Sequence, residues 1–164
     1  MSSIRSVSTK PEVKLRHELW RRGFRYKKND KSLPGTPDVV LPKYKSVVFI
    51  HGCFWHGHLG CKKYVVPKSN TEFWIEKVFK NKQRDENVWR QLEAKGWSVI
   101  IVWECELEKK RFSETIKRVE KEICANGELY RKRILERKRM RELRFAERRV
   151  QKEKHDALKA ELSR

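Results

Sequence analysis

The sequence predicts an α/β domain, with a mixed β-sheet covered by helices on its faces, followed by a long basic helix. Within residues 1–125, helical and strand patterns alternate in the order α-β-β-α-β-α, and that order favours such a layered arrangement. Residues 126–164 contain no proline, cysteine or tryptophan and carry 14 Lys/Arg against 7 Asp/Glu. We therefore expect a globular domain of residues 1–125 and a basic helical C-terminal extension of residues 126–164.

The first helix and the first two strands have clear boundary signals. The helix is expected to follow Thr9 as its N-cap, with Pro11 in the first turn, and to stop at Gly23. Two short β-rich segments come next, "PDVVLP" at 37–42 and "SVVFIH" at 46–51. They predict two strands joined by a short turn.

The second helix is expected to open on a capping box, with Ser69 as N-cap and Glu72 three residues later. It is expected to run to Gly96, with a break near Asn81. The unbroken apolar run "WSVIIVWE" then predicts a fully buried strand. A helix with one apolar face closes the domain, and its face residues are Ile116, Val119 and Ile123.

The extension is expected to form one long helix, since it is rich in Glu, Lys, Arg, Leu and Ala and has no breaker after Gly127. Its apolar stripe is too thin to indicate a coiled coil, and comprises Leu143, Ala146, Val150 and Ala157. The favoured interpretation is a solvated basic helix or a partly disordered tail. A contact with the DNA backbone is the functional alternative.

The composition indicates a polyanionic partner. There are 41 Lys+Arg against 22 Asp+Glu, a formal net charge of +19, so nucleic acid is the first candidate. A ribosomal-type or merely soluble basic protein is the alternative. No apolar run approaches the ~18 residues of a membrane span, and the N-terminus lacks the apolar segment of a signal peptide. We therefore expect a cytosolic protein with reduced cysteines, which favours a metal site over disulfides.

The loop "HGCFWHGHLGC" contains candidate metal ligands. Cys53, His58 and Cys61 form a Cys-x4-His-x2-Cys pattern, tight enough for three zinc ligands on one loop. Cys105 follows the last predicted strand and is the candidate fourth ligand. Cys124, on the last helix of the domain, is expected to be a buried free cysteine. A redox pair is the weaker alternative, because Cys53 and Cys61 are not a C-x-x-C pair.

Two further histidines and an aspartate predict hydrolytic chemistry. Asp38 lies at the head of one predicted strand and His51 ends the next, so the two side chains approach each other if the strands form a hairpin. His56 lies on the adjacent loop. One carboxylate with imidazoles suits Mg²⁺-assisted phosphodiester hydrolysis, since Mg²⁺ prefers oxygen ligands and a histidine can activate water. A lone histidine would more often be a satisfied polar residue.

Several motifs together resemble, in order and spacing, the very short patch repair (Vsr) mismatch endonucleases of bacteria. They are "PGTPDVV", "FIHGCFWHGH", "NTEFW", "NKQRD" and "GWSVIIVWECEL", and "IRSVSTKPEVKLR" is similar to the family's N-terminal motif. The resemblance covers about residues 4–107. Members of the family usually carry additional residues ahead of this N-terminus, which help to hold DNA.

The resemblance implies a fold related to type II restriction endonucleases, in which helices flank a central mixed sheet. It also implies an enzyme that nicks duplex DNA 5′ to the thymine of a T:G mismatch, the product of 5-methylcytosine deamination. We expect such an enzyme to act as a monomer, with Mg²⁺ for catalysis and Zn²⁺ for structure, on the nucleoid in the bacterial cytoplasm. Whether the extension recruits a repair protein is left open.

The resemblance also assigns roles to individual active-site residues. It implies that Asp38 binds Mg²⁺, helped by the backbone carbonyl of Ile50. His51 and His56 take the catalytic imidazole roles, with His56 as the general base. Glu12 matches an acidic position of the family's active site and is given a supporting role.

The remaining roles concern zinc and the DNA wedge. The implied zinc ligands are Cys53, His58, Cys61 and Cys105, and the aromatics that enter the base stack beside the mismatch are Phe54, Trp55 and Trp74. One departure is that Leu59 and Gly60 add a residue to the family's usual spacing before the second cysteine. We expect the ligand set to survive, because glycine gives the loop freedom.

Two other functions stay open at this stage. A restriction-like or mobile-element DNA nickase would have the same fold and catalytic residues, because specificity is determined by groove contacts. A non-catalytic zinc module that binds DNA is disfavoured by the joint presence of Asp38, His51 and His56.

Overall fold

The computed structural model describes the backbone of residues 9–162 and the side chains of residues 9–154. The elements in chain order are α1 (Lys10–Arg21), β1 (Val39–Leu41), β2 (Ser46–His51), α2 (Thr71–Ala94), β3 (Ser98–Trp103) and α3 (Lys109–Leu162). This order confirms the predicted α-β-β-α-β-α alternation. Thr9 is the N-cap of α1, as predicted.

The three strands form one mixed sheet in the order β1-β2-β3. β1 pairs with β2 in antiparallel register, with Val39 opposite Val48, so the two strands form the hairpin on which the approach of Asp38 to the end of β2 depends. β2 pairs with β3 in parallel register, with His51 opposite Trp103. The central strand β2 therefore places its C-terminal residue, His51, at the same end of the sheet as the C-terminal residue of β3.

Helices cover both faces of the sheet. The face against α1 and the first part of α3 has a core made of Leu15, Leu19, Val39, Leu41, Val48, Ile100, Val102, Ile116, Val119 and Ile123. The opposite face packs against α2, and its core contains Val40, Val47, Phe49 and Leu92. Because successive strand residues point to opposite faces, the apolar runs of β1 and β2 supply both cores. Each buried Leu or Ile contributes roughly 1.5–3 kcal/mol relative to an exposed one.

The N-terminus of α2 differs from the prediction. Asn70, rather than Ser69, is the N-cap, in a left-handed conformation with φ 54°, and no side chain caps the helix there. The predicted capping box with Glu72 is therefore wrong, and Glu72 is an exposed residue of the first turn. α2 also continues without a break through Asn81, because asparagine lowers helix propensity only modestly.

β3 is less buried than its apolar run predicts. Ile100 and Val102 are buried, whereas the other four residues are partly exposed. β3 is an edge strand of a three-stranded sheet, so the covering elements leave part of it accessible.

α3 joins two segments that the sequence pattern treats as separate helices. A Cβ atom at Gly127 would lie 2.7 Å from the ring of Tyr44, so the glycine lets the helix pass the ring. The predicted burial of Cys124 is wrong, because its side chain is exposed. Neighbouring residues differ by about 100° around a helix, so Ile123 faces the core while Cys124 faces away.

Two compact units make up the chain, Met1–Gly127 and Glu128–Arg164. The first contains the sheet, α1, α2 and the start of α3, and the second consists of the later part of α3. Within residues 9–162, no helix combines the length and apolar character that crossing a membrane requires.

Candidate active site and metal centre

The candidate active site is built where β2 ends. His51, the last residue of β2, is buried, and the loop that follows folds back so that His56 stacks on it. The two imidazole rings have centroids 3.8 Å apart and an interplanar angle of 16°. Trp103, at the end of β3, contacts His51 edge-on at 5.4 Å.

Helix α2 fixes His56 through a carboxylate. Nδ1 of His56 lies 2.5 Å from Oδ2 of Asp85, and the Asp85 side chain is largely buried. Burial acts to raise the pKa of Asp85, but the hydrogen bond from His56 and the attraction to its protonated form outweigh it, so that pKa is lowered. An ionised carboxylate accepts hydrogen bonds, so Nδ1 of His56 is the donor and its Nε2 is free to accept a proton.

The same helix holds the rest of the loop. The Asn81 side chain, one turn before Asp85, donates a hydrogen bond of 2.9 Å to the carbonyl of Trp55. Gly57 has φ +62°, and a Cβ atom there would lie 2.7 Å from Val78. Glycine is required at this position by both conformation and space.

Asp38 lies beside the end of β2. Its Oδ2 atom accepts a 2.8 Å hydrogen bond from the backbone N–H of Ile50. Burial raises the pKa of Asp38 to about 6, and the nearby charge of Glu12 adds to the rise, whereas the Ile50 amide opposes it. A buried carboxylate is electrostatically suited to a cation, although the neighbouring carboxylate, Glu12, is already paired with Arg16 at 3.4 Å.

His51 is held in its neutral form. Burial lowers its pKa to about 3, and the charge that His56 carries when protonated acts in the same direction. At neutral pH this imidazole is therefore uncharged, and its ring is packed between His56 and Trp89.

The structure places the predicted active-site residues as follows. His51 and His56 are in direct contact, and Asp38 is bound to the amide of Ile50, one residue before His51. Glu12 is buried in α1, where it accepts a hydrogen bond from the Thr9 hydroxyl. The observed contact at Ile50 uses its N–H group, so a role for its carbonyl stays a prediction.

Asp85 is a residue to which the sequence reasoning gave no role. It ends the motif "NKQRD", which carried part of the family resemblance, and it lies one helical turn after Asn81. That spacing puts both polar side chains on one face of a helix, and this was the signal that could have found it.

A second cluster contains the four predicted metal ligands. Ligand atoms of Cys53, His58, Cys61 and Cys105 all lie within 4.8 Å of one another. Nδ1 of His58 is 3.4 Å from Sγ of Cys53 and 3.5 Å from Sγ of Cys105. Three thiols and one imidazole converging on one point fit a tetrahedral metal site of the kind that Zn²⁺ occupies.

The backbone around this cluster forms consecutive turns. The His58 amide donates to the carbonyl of Cys53 at 2.9 Å, and the Cys61 amide donates to that of His58 at 3.2 Å. The Cys53 amide donates to the Glu104 carboxylate at 3.1 Å, which ties the loop to the segment carrying Cys105. The His58 ring is stacked on Trp103 at 4.1 Å.

The three predicted wedge aromatics form one cluster at the surface. The ring of Phe54 lies 5.2 Å from that of Trp55 and 5.4 Å from that of Trp74, both edge-on. Trp55 is 40% exposed, and Phe54 and Trp74 are partly exposed. Phe73 extends the cluster, with its ring 5.2 Å from Trp74.

Comparison of the sequence with known proteins identifies its family. A sequence model of the family described as DNA mismatch endonuclease Vsr matches residues 1–63. The type II nicking enzyme V.NmeAIP of Neisseria meningitidis serogroup A is 55% identical over 124 residues, which are 75% of this chain and 88% of the relative. The type II nicking enzyme V.XorIIP of Xanthomonas oryzae pv. oryzae is 46% identical over 107 residues, 65% of this chain and 78% of the relative.

A third relative has the family's own name. The DNA mismatch endonuclease Vsr of Escherichia coli K12 is 42% identical over 130 residues, covering 77% of this chain and 83% of the relative. Identities of this size over most of the relatives' length exceed what unrelated chains show. The chain therefore belongs to the Vsr family of DNA mismatch endonucleases and is a DNA endonuclease.

Proposed function

We propose that this endonuclease nicks duplex DNA 5′ to the thymine of a T:G mismatch by Mg²⁺-assisted hydrolysis of one phosphodiester bond. The observation that carries the proposal is the hydrogen bond between His56 and Asp85 in a chain of the Vsr family. The His56 ring in this pair is stacked on His51, close to Asp38. An oriented imidazole next to a buried carboxylate is the equipment that hydrolysis of a phosphodiester requires.

His56 acts as the general base in this proposal. Its Nδ1–H donates to Asp85, so its Nε2 accepts a proton from the attacking water. Asp85 orients the ring and stabilises the positive charge that forms on it. The neutral ring of His51, packed against His56, is the second imidazole at the scissile phosphate.

Asp38 would hold the Mg²⁺ ion, with the backbone carbonyl of Ile50 as a second oxygen ligand and Glu12 in a supporting role. A carboxylate whose pKa is raised by burial, with Glu12 close to it, favours a cation at this position. A bound Mg²⁺ supplies charge neutralisation on the phosphate.

The Cys/His cluster would hold a structural Zn²⁺ through Cys53, His58, Cys61 and Cys105. The loop that carries three of these ligands also carries His56 and Trp55. A metal that fixes the loop would therefore position both the general base, His56, and the wedge aromatic, Trp55. This would explain why ligands, catalytic histidines and aromatics alternate along the loop.

The aromatic cluster of Phe54, Trp55 and Trp74 would enter the base stack at the mismatch. A flat ring replaces lost stacking, and unstacking one step costs a few kcal/mol. A mismatched pair is less costly to open than a matched one, so insertion favours T:G over matched sites.

We further propose that the chain consists of an endonuclease domain and an extension, and that it acts on DNA in the bacterial cytoplasm. Residues 1–125 would form a restriction-endonuclease-like domain, supported by the mixed sheet with Asp38 and His51 at one edge, and residues 126–164 an extension. The enzyme would act as a monomer. Its substrate would be genomic DNA in the bacterial nucleoid.

A panel of duplexes tests the substrate. The protein is incubated with Mg²⁺ and otherwise identical duplexes that contain T:G, C:G or another mismatch, in several flanking sequences. Rapid nicking of T:G alone supports the proposal. Equal nicking of matched duplexes would favour the alternative of a site-specific nickase, which the name of the Neisseria relative keeps open.

A further inference from the structure

The second unit, Glu128–Arg164, has a regular distribution of charge around its helix. Basic residues recur at steps of four, four, three, four and four residues, and they are Arg133, Arg137, Arg141, Arg144, Arg148 and Lys152. With 3.6 residues per turn, these six side chains fall within about 100° of the helix circumference. We call this set the basic stripe.

The acidic residues of the same segment avoid the stripe. Residues 131–154 contain 12 Lys/Arg and four glutamates, namely Glu136, Glu142, Glu147 and Glu153. Each glutamate lies about 90° or more from the centre of the stripe. Where opposite charges lie four residues apart within residues 128–154, as at Lys132 and Glu136, the basic partner lies outside the stripe.

The stripe is accessible. All six of its side chains are exposed, and within residues 9–154 none of them lies in an ion pair with a carboxylate. Five of its arginines line one surface depression, together with Met140, Phe145 and a single acidic residue, Glu136. The guanidinium groups are therefore available to a partner of opposite charge.

The apolar side chains argue against a second copy of the helix as that partner. Ile134, Leu135, Leu143, Phe145 and Val150 are all exposed; Leu143 and Val150 lie on the thin apolar stripe, but Ile134 and Phe145 lie more than 100° away from it around the helix. A coiled coil needs apolar residues repeating every 3.5 residues on one seam.

We propose that the basic stripe binds the phosphate backbone of duplex DNA and so anchors the enzyme on the duplex that it nicks. This rests on the chain acting on DNA, and not on its choice of a T:G mismatch. The residues that carry the family resemblance end near residue 107, and the relatives named above align with at most 77% of this chain. The anchor would lie beyond the residues that carry the family resemblance.

The dimensions and charge suit this partner. At 1.5 Å per residue, the stripe from Arg133 to Lys152 is about 28 Å long. Duplex DNA carries one phosphate per ~1.7 Å of axis, so that length of duplex presents about 17 negative charges. Arginine makes two parallel hydrogen bonds to a phosphate, and five of the six stripe residues are arginine.

Two variants of the full chain with the same change in net charge separate this proposal from a general effect of charge. The stripe variant has Arg133, Arg137, Arg141, Arg144 and Arg148 changed to Gln. The control variant has Arg131, Lys132, Lys138, Arg139 and Arg149, which lie off the stripe, changed to Gln. Glutamine has a helix propensity close to those of arginine and lysine, and circular dichroism checks that both variants keep their helical content.

The affinity of each protein for a T:G duplex of about 40 bp is measured at several salt concentrations without added Mg²⁺. We expect the stripe variant to bind about tenfold more weakly at moderate salt, with its log–log salt slope reduced by about 2 or more. The control variant should keep most of the parent's affinity and slope. The nicking rate at saturating DNA should be the same in all three proteins.

The opposite results would overturn the proposal. Equal losses in both variants would mean that net charge acts without a defined surface, and no loss in either would mean that the helix does not touch DNA. A stripe variant that loses affinity for duplex RNA alone, or that changes only its mass in sedimentation, would identify a different partner. If the parent itself fails to nick T:G duplexes, the proposed function fails, but the binding comparison still decides the role of the stripe.

Discussion

His56 and Asp85 are 29 residues apart in sequence, yet Nδ1 of the first lies 2.5 Å from Oδ2 of the second. One comes from the loop after β2 and the other from the middle of α2. The hydrogen bond fixes the tautomer and the direction of the ring whose other nitrogen we assign as the general base.

Replacing Asp85 with Asn should therefore lower the nicking rate more than DNA affinity. General bases typically contribute about 10²–10⁴-fold in rate, and we expect a loss in that range because an amide does not stabilise the imidazolium. Single-turnover nicking and DNA binding are measured on the same preparation. Glu86→Gln, at the next and exposed position of α2, is the control and should retain the parent rate, and an unchanged rate for Asp85→Asn would contradict the assigned pair.

Cys105→Ser should lose bound metal and stability together. A structural zinc ion contributes directly to folding, so the loss of one ligand is expected to cost about 4 kcal/mol, at the upper end of point-substitution effects. Metal content and denaturant unfolding are the measurements. Cys124→Ser removes an exposed thiol outside the cluster and should change neither quantity, whereas equal stability of the two variants would remove Cys105 from the ligand set.

Gly57 and Gly60 provide a matched pair on the metal loop, since both have positive φ angles, +62° and +73°. Gly60→Ala should cost about 1 kcal/mol from backbone strain alone. Gly57→Ala adds a contact of 2.7 Å with Val78 on α2, so it should cost about 1–3 kcal/mol more and reduce nicking by displacing His56. Thermal unfolding of the two variants measures the difference, and equal costs would show that the loop does not pack on α2 as described.

Glu18 links stability to pH. Hydrogen bonds from Arg21 at 2.9 and 3.0 Å, with a further one from Arg22, outweigh burial and lower the pKa of Glu18 to about 2. The ionised form is therefore favoured in the folded state, and its contribution is lost as pH falls from about 4.5 through about 2. Glu18→Gln should destabilise the protein at pH 7 and converge with the parent towards pH 2.

Urea unfolding across that pH range measures the convergence. Glu72→Gln, which changes an exposed residue at the start of α2, should stay close to the parent at every pH. A constant gap between Glu18→Gln and the parent would mean that the arginine contacts do not stabilise the ionised carboxylate.

The sequence predicts the strands and their chemistry better than the helix boundaries. Apolar runs bounded by turn residues locate β1 and β2, and the short turn between them leads to the antiparallel pairing that brings Asp38 to Ile50. The capping box at Ser69 fails because a neighbouring residue, Asn70, adopts the left-handed conformation and starts the helix instead. Competition between adjacent capping residues is a local energy difference that the pattern does not resolve.

Side-chain contacts between distant elements are the part that the sequence leaves undetermined. The spacing of Cys53, His58 and Cys61 places three ligands on one loop. The position of Cys105 next to them depends instead on the parallel pairing of β2 with β3. Asp85 was missed because its role depends on how α2 is rotated about its axis against the loop. The basic stripe, in contrast, is readable from sequence once the segment is known to be helical, because its spacing follows the helical period.

The position of the nick tests the central claim most directly. A duplex with one T:G mismatch, labelled on either strand, is incubated with Mg²⁺ and the product is mapped at single-nucleotide resolution beside the same duplex treated with Asp38→Ala. We expect one nick, in the T strand, immediately 5′ to the mismatched thymine, with no product from Asp38→Ala or from the matched C:G duplex. Cleavage of both strands, cleavage away from the mismatch, or equal cleavage of the matched duplex would contradict the account.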